Sequence, residues 1–388
     1  MPAEVTLTPK GERWRRSAHP WTYRDDLKPL DAKLAGQVVR VKSPDGQIVG
    51  QAFCNPASKI ALRWLTEDAD EPVDRGFWAA RVQAALDLRR RVVRDSNACR
   101  LIHSEADGFP GLIADRYGDV LVVQMLSRGM EEISAVVLDL LQEALHPSAV
   151  VARNDSPVRK LEGLPQEKKL LAGKLPDRIE VTEGDRRYLV DVMEGHKTGA
   201  YLDQRENRLR AREYARGRVL DCFSYQGGFT LQLSAAAEEV LALEDSAAGV
   251  ERIRENFALN GITNARAERA NVFDRLRALE KEGARFDLVI LDPPAFAKNR
   301  AEVKDAWRGY RDINLRALRL LNPQGTLITC SCSHLITDEI FAEILREASR
   351  DAGRPARLVE SRTQSLDHPV LLTHPESKYL KCIVLEAV

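Results

Sequence analysis

Over residues 218–291 the chain alternates short apolar, strand-like runs (218–223, 240–244, 265–269 and 286–291) with segments of helical period that begin at Gly228 and Ala247 and end at Lys281. That alternation leaves few folds open. Strands separated by helices run parallel, and right-handed crossovers put the helices on both faces of one twisted sheet. A helix over 303–321, a strand over 325–331, a helix over 338–350 and two closing strands extend the pattern, so the C-terminal half reads as doubly wound α/β. Upstream, residues 36–53 read GQVVRVKSPDGQIVGQAF, two β-branched runs around a Pro-Asp-Gly turn, which predicts a hairpin in a small β-rich unit. Between the two lie a helix over 77–94, strands over 100–103, 111–117 and 120–126, a helix over 131–145, and strands over 149–153 and 186–193. The rhythm divides the chain into a β-rich domain (1–72), a central α+β domain (73–188) and the α/β domain (189–388).

The 388 residues carry 58 Lys and Arg against 58 Asp and Glu. No net field draws the whole protein onto a polyanion, so any nucleic-acid contact uses local patches. Arg13, Arg15, Arg16, His19, Trp21, Tyr23 and Arg24 interleave cations with aromatics, which suits phosphates and exposed bases, or a solvated arm with packed rings. Two arginine runs, Arg89 to Arg94 and Arg205, Arg208, Arg210, Arg212, Arg216 and Arg218, are RNA tracks or ion-paired helix faces. No apolar run approaches the ~18 residues of a membrane span, and residues 1–16 lack a signal-peptide core, which predicts a soluble, cytoplasmic protein without membrane contact. Six cysteines, none in a CxxC pair, read as thiols, with no disulfide framework and no metal centre.

In an open parallel sheet the ligand lies beyond the carboxyl ends of the strands. The first strand runs into Asp221-Cys222-Phe223-Ser224-Tyr225-Gln226-Gly227-Gly228, whose paired glycines let a ligand approach the backbone where a helix begins. The GxGxxG spacing that fits a pyrophosphate is missing, which disfavours a dinucleotide. Glu244 ends the second strand roughly twenty residues on, placed to accept both hydroxyls of a ribose. Asn271 follows the third strand and offers donor and acceptor to an adenine edge, or else caps the next helix. Together these point to a nucleoside ligand without phosphates, for which S-adenosylmethionine is the natural candidate. The fourth strand ends in Asp292-Pro293-Pro294-Ala295-Phe296, where two prolines force the chain out of the sheet with a rigid shape. Methyltransferases use such an acidic-Pro-Pro-aromatic loop to hold an extruded base by polar contacts to its edge and by stacking, here on Pro293 and Phe296; the alternative is a plain Pro-rich turn.

These residues, with His196-Lys197-Thr198-Gly199-Ala200-Tyr201-Leu202-Asp203-Gln204-Arg205 and Ser331-Cys332-Ser333, resemble the RlmI-like large-subunit ribosomal RNA methyltransferases over nearly the whole chain. His19-Pro20-Trp21 and Asn55-Pro56 look like that family's PUA domain, a small RNA-binding β-barrel. The resemblance implies a class I (Rossmann-like) methyltransferase domain, with S-adenosylmethionine as donor and 5-methylcytosine in 23S ribosomal RNA as product. The RNA is then free or in an assembling large subunit, and a homodimer is left open. It further implies Tyr225, Gly227, Glu244, Asn271 and Asp292 as cofactor contacts, with Thr198, Gln204 and Arg205 at the entrance. Asn271 departs from the family's frequent Asp.

Carbon 5 of cytosine becomes nucleophilic only when a thiolate adds to carbon 6, so this product demands a cysteine. Cys332, at the end of the fifth strand, matches the family's catalytic position, with Asp292 as its catalytic partner at the base. Cys330, two residues earlier, is expected deeper in the core. Two rivals remain: methylation of a guanine nitrogen, which needs no thiol, and a non-catalytic RNA-binding ribosome-assembly factor that keeps the fold as a platform.

Overall fold

The computed structural model describes residues 2–388, which cluster into two compact units. Val190–Leu202 and Leu366–Ser377 belong with the chain up to Val181; Thr182–Leu189, Asp203–Ser365 and Lys378–Val388 form the second unit.

The first unit holds two five-stranded sheets. One runs in the order Glu4–Thr6, Val38–Lys42, Ile48–Cys54, Ile60–Thr66, Trp21–Tyr23. The expected hairpin is its centre, Val38–Lys42 pairing antiparallel with Ile48–Cys54 across the Pro-Asp-Gly turn. The other sheet runs Glu167–Gly173, Ala149–Asn154, Val120–Met125, Leu112–Tyr117, Ala98–His103, and helix Arg75–Val92 packs Trp78, Val82 and Leu86 against it. Sequence inspection misses Glu167–Gly173. Its residues are almost all exposed, so this edge strand carries no alternation of apolar and polar positions. The basic aromatic N-terminal stretch is packed rather than free: helix Pro9–Arg15 starts on a Thr8 cap, Trp14 Nε1 donates to the Trp21 carbonyl at 2.8 Å, and Trp21 Nε1 donates to Glu105 at 2.7 Å.

The second unit is built on one seven-stranded sheet: β1 (Arg218–Cys222), β2 (Glu239–Glu244), β3 (Ala265–Arg269), β4 (Phe286–Leu291), β5 (Leu321–Ser331), β6 (Ala356–Arg362) and β7 (Lys381–Ala387), in the order β3-β2-β1-β4-β5-β7-β6. The first five run parallel, and β7 is antiparallel to both neighbours. The helices are α1 (Gly228–Leu233), α2 (Ala247–Leu259), α3 (Val272–Lys281), α4 (Val303–Leu320) and α5 (Asp338–Ala352). Period-two alternation sends Leu220, Cys222, Leu241, Leu243, Val289 and Leu291 to one face, under Leu276, Ile313 and Ile344 of α3, α4 and α5. Val219, Val240, Leu288, Ile290 and Cys330 go to the other face, under Phe229 and Leu233 of α1. A sheet apolar on both faces has one place for a ligand, the carboxyl edge near the point where strand order reverses between β1 and β4.

Candidate active site

The loop after β1 is held in a conformation that L-residues seldom adopt, with Phe223 at φ 63°, Tyr225 at φ 53° and Gly227 at φ 81°. Ladder-like bonds over-determine it. Ser224 N–H donates to the Leu243 carbonyl at 3.0 Å, Gly227 N–H to the Ser224 carbonyl at 2.7 Å, and Asn256 Nδ2 to the Gln226 carbonyl at 2.9 Å. Glu244 takes part as well, its two carboxylate oxygens each accepting one backbone N–H, from Tyr225 and from Ser246, both at 2.9 Å. At Gly228 an added Cβ would stand 2.9 Å from Arg208 Cδ, so this glycine answers to packing.

Beneath the loop, Asp221 is fully buried. One oxygen accepts from Thr230 N–H at 3.1 Å and from its hydroxyl at 2.6 Å; the other has no partner among the described residues. Burial pushes this carboxyl up to about 6. Sequence inspection sees Asp221 only as the start of the loop; the signal available was an acid at the end of an otherwise apolar strand.

Asp292 leaves β4 half-buried, and its Oδ1 accepts from Gln204 Nε2 at 2.8 Å. The Gln204 amide is oriented in turn: its oxygen accepts from Asn207 Nδ2 at 2.7 Å, and the Asn207 oxygen accepts from Arg362 Nε at 3.0 Å. Asn207, missed in the sequence, lies three residues after Gln204, a spacing that puts both on one helical face. The loops after β4 and β5 are tied together by Ala297 N–H donating to Ser333 Oγ at 3.3 Å. The Tyr310 hydroxyl stands 3.1 Å from both Ser331 Oγ and Ser333 Oγ, fixing the chain on either side of Cys332. Among the described residues Cys332 is the one cysteine that is not buried. Cys330 is fully buried, and its hydrogen bond with Cys382, together with burial, pushes its thiol well above the ordinary range; burial does the same to Cys222.

The other expected site residues have partners of their own. Asn271 is exposed and its oxygen caps α3, accepting from Asp274 N–H at 3.3 Å. Thr198, Gln204 and Arg205 are expected at an entrance, but all three are buried. Thr198 belongs to the first unit, its hydroxyl donating to Asp115 at 2.6 Å beside the Tyr117 hydroxyl at 2.8 Å, while Arg205 binds Glu206 at 2.7 Å. Phe296 lies 4.6 Å from the Tyr310 ring and 5.9 Å from Phe273, centroid to centroid, within an aromatic cluster; Pro293 is buried and Pro294 exposed. Most of the arginine runs are ion-paired: Arg89 with Asp107, Arg90 with Asp87, Arg208 with Glu183, Arg210 with Glu360, Arg212 with Asp185 and Arg218 with Glu239.

In the first unit His19, His374 and Glu376 group closely enough to hold a metal ion. However, His19 Nδ1 accepts from Trp21 N–H at 3.2 Å, so Nε2 carries the ring proton toward Glu376 at 3.3 Å and is not available as a ligand.

A model of the S-adenosylmethionine-dependent methyltransferase family matches residues 78–369, and a PUA-like domain model matches residues 5–67. The ribosomal RNA large subunit methyltransferase I of Erwinia tasmaniensis is 39% identical over 98% of this chain and 98% of its own length; that of Serratia proteamaculans is 40% identical with the same coverage. The chain belongs to the ribosomal RNA large subunit methyltransferase I family. The structure of SMU.776 complexed with SAH shares the fold, with a TM-score of 0.86 over 99% of this chain and 100% of that one at 19% identity. As a member of the family, this methyltransferase uses S-adenosylmethionine. The residues present fit that group. The partnerless, buried Asp221 oxygen calls for a cationic donor such as an amino group, and each Glu244 oxygen has acceptor capacity left for a ribose hydroxyl. Among the described residues no helix is long and apolar enough to cross a membrane.

Proposed function

We propose that this chain methylates carbon 5 of a cytosine in 23S ribosomal RNA through a covalent adduct on Cys332. The observation that carries the reading is the half-exposed Cys332 on a loop hydrogen-bonded to the Asp292 loop, with the remaining cysteines buried.

When bound, S-adenosylmethionine supplies an electrophilic methyl group. Asp221 and Glu244 would hold its amino and ribose ends, and the backbone of Tyr225 and Gly227 would line its path. The target base is extruded beside Pro293. Asp292, aimed by Gln204, accepts from the exocyclic amine, and in its protonated form its carboxyl donates to ring nitrogen 3 and offsets the negative charge that thiolate addition places on the ring. The Cys332 thiolate bonds to carbon 6 and drives an electron pair onto carbon 5, which takes the methyl group. Loss of the carbon 5 proton to a base then breaks the sulfur–carbon bond and returns the thiolate. Residues 1–72 supply RNA contact outside the site, and Asn271, Thr198 and Arg205 serve the fold.

The test is mass spectrometry of nucleosides from 23S ribosomal RNA incubated with the protein and S-adenosylmethionine. 5-Methylcytosine is expected with the native chain and none with Cys332→Ala, which should still bind S-adenosylhomocysteine. A methylated guanine, or undiminished product from Cys332→Ala, overturns the reading.

A further inference from the structure

Lys381 opens β7 and is 4% exposed, which is rare for lysine because burial strips water from the ammonium. Its hydrogen-bond partners among the described residues are two neutral carbonyls, that of Ser333 at 2.8 Å and that of Tyr379 at 2.9 Å. Asp338, whose charge favours the ammonium, is itself paired with Lys378 at 2.7 Å, and the Lys378 charge opposes it. Among the described residues, then, this buried ammonium is hydrogen-bonded to carbonyls and to no anion.

The geometry says where that anion belongs. In the β5/β7 ladder Lys381 is the Cα partner of Ser331, while its ammonium reaches past to bind the carbonyl of Ser333. The residue bracketed between those two anchors is Cys332. Other ionisable groups flank this turn: Tyr310 of α4, whose hydroxyl is engaged by the two serines; His334, whose ring lies 5.6 Å from that of Tyr379; and Tyr379 itself, whose hydroxyl donates to Asp203 at 2.7 Å. Burial, set against the raising charges of Asp338 and of a Cys332 thiolate, brings Lys381 down to about 8, so near neutral pH it still carries its proton.

We propose that Lys381 is a positioning residue whose ammonium stabilises the Cys332 thiolate and clamps the turn that presents it. The proposal rests on the reading of Cys332 as the nucleophile. It assigns the lysine no proton transfer: the ammonium keeps its three hydrogens, and only the charge balance at the sulfur changes.

Alkylation by iodoacetamide tests it, followed by peptide mass spectrometry over a range of pH on the full chain, because the other cysteines are buried. The thiol of the native protein is expected to titrate below the ordinary cysteine value of ~8.5. Lys381→Met, close in shape but neutral, should slow alkylation at pH 7 by about tenfold, the change in thiolate fraction when the thiol pKa rises by about one. Lys381→Arg should restore most of the rate, and neither change should alter affinity for S-adenosylhomocysteine. A native thiol that titrates at or above the ordinary value overturns the proposal without recourse to any variant. So does a Lys381→Met profile that superimposes on the native one. Methylation that survives Cys332→Ala overturns the nucleophile itself, and the alkylation profile tells the two failures apart.

Discussion

Replacing Asp221 with Asn removes the ionisation of a carboxyl that is fully buried, half-satisfied and raised from 3.8 to about 6. Because the folded state holds this proton more tightly than the unfolded chain does, its contribution favours folding at low pH and is lost as pH rises through about 6. A carboxyl raised that far contributes about 3 kcal/mol in full, of which roughly half falls between pH 5 and pH 8. Asn keeps an acceptor for Thr230 but leaves a buried amide N–H without a partner, which costs about 1–3 kcal/mol at every pH. The diagnostic quantity is therefore the swing. The Asn variant should gain about 1.5 kcal/mol relative to the native protein between pH 5 and pH 8, or ~4 °C in melting temperature for a unit of this size. Thermal melts of both proteins across that range measure it. If Asp221 also receives the amino group of the cofactor, the variant should bind S-adenosylhomocysteine about 10–100-fold more weakly, the worth of a charge-assisted hydrogen bond, and native binding should tighten as pH rises through 6. Titration calorimetry reads both. A melting difference that does not change with pH, together with equal affinities, would show that folding does not raise the Asp221 carboxyl and that Asp221 is no cofactor ligand.

Gln204→Leu leaves Asp292 without its 2.8 Å donor, so turnover should fall about 10–100-fold while S-adenosylhomocysteine affinity holds; single-turnover methylation with saturating cofactor checks this. Phe296→Ala should destabilise the fold by about 2–3 kcal/mol, because the ring packs on Tyr310 and Phe273; a loss below ~1 kcal/mol in urea unfolding would free Phe296 for base stacking instead.

Much of the fold was legible from residue order. The alternation over 218–291 dictated a two-faced parallel sheet because a buried strand must be apolar throughout and a parallel partner requires a helical crossover. The strand ends carrying Asp221, Glu244, Asp292 and Cys332 followed from that rhythm, and the Asp-Pro-Pro and Ser-Cys-Ser segments carried the family. What chain order could not disclose was which polar groups are used up. Thr198 has the chemistry of a ligand yet completes a buried hydroxyl–carboxylate group, and for Asn271, where the sequence left capping open, the fold puts its oxygen on the cap of α3. Equally hidden were the groups left wanting: the partnerless oxygen of Asp221, and Lys381, which lies far along the chain from Cys332 but opposite its neighbour in the ladder. Periodicity is a property of neighbours in sequence and survives in the one-dimensional string. Hydrogen-bond satisfaction depends on atoms brought within about 3 Å by strand order and loop path, so only the folded chain decides it.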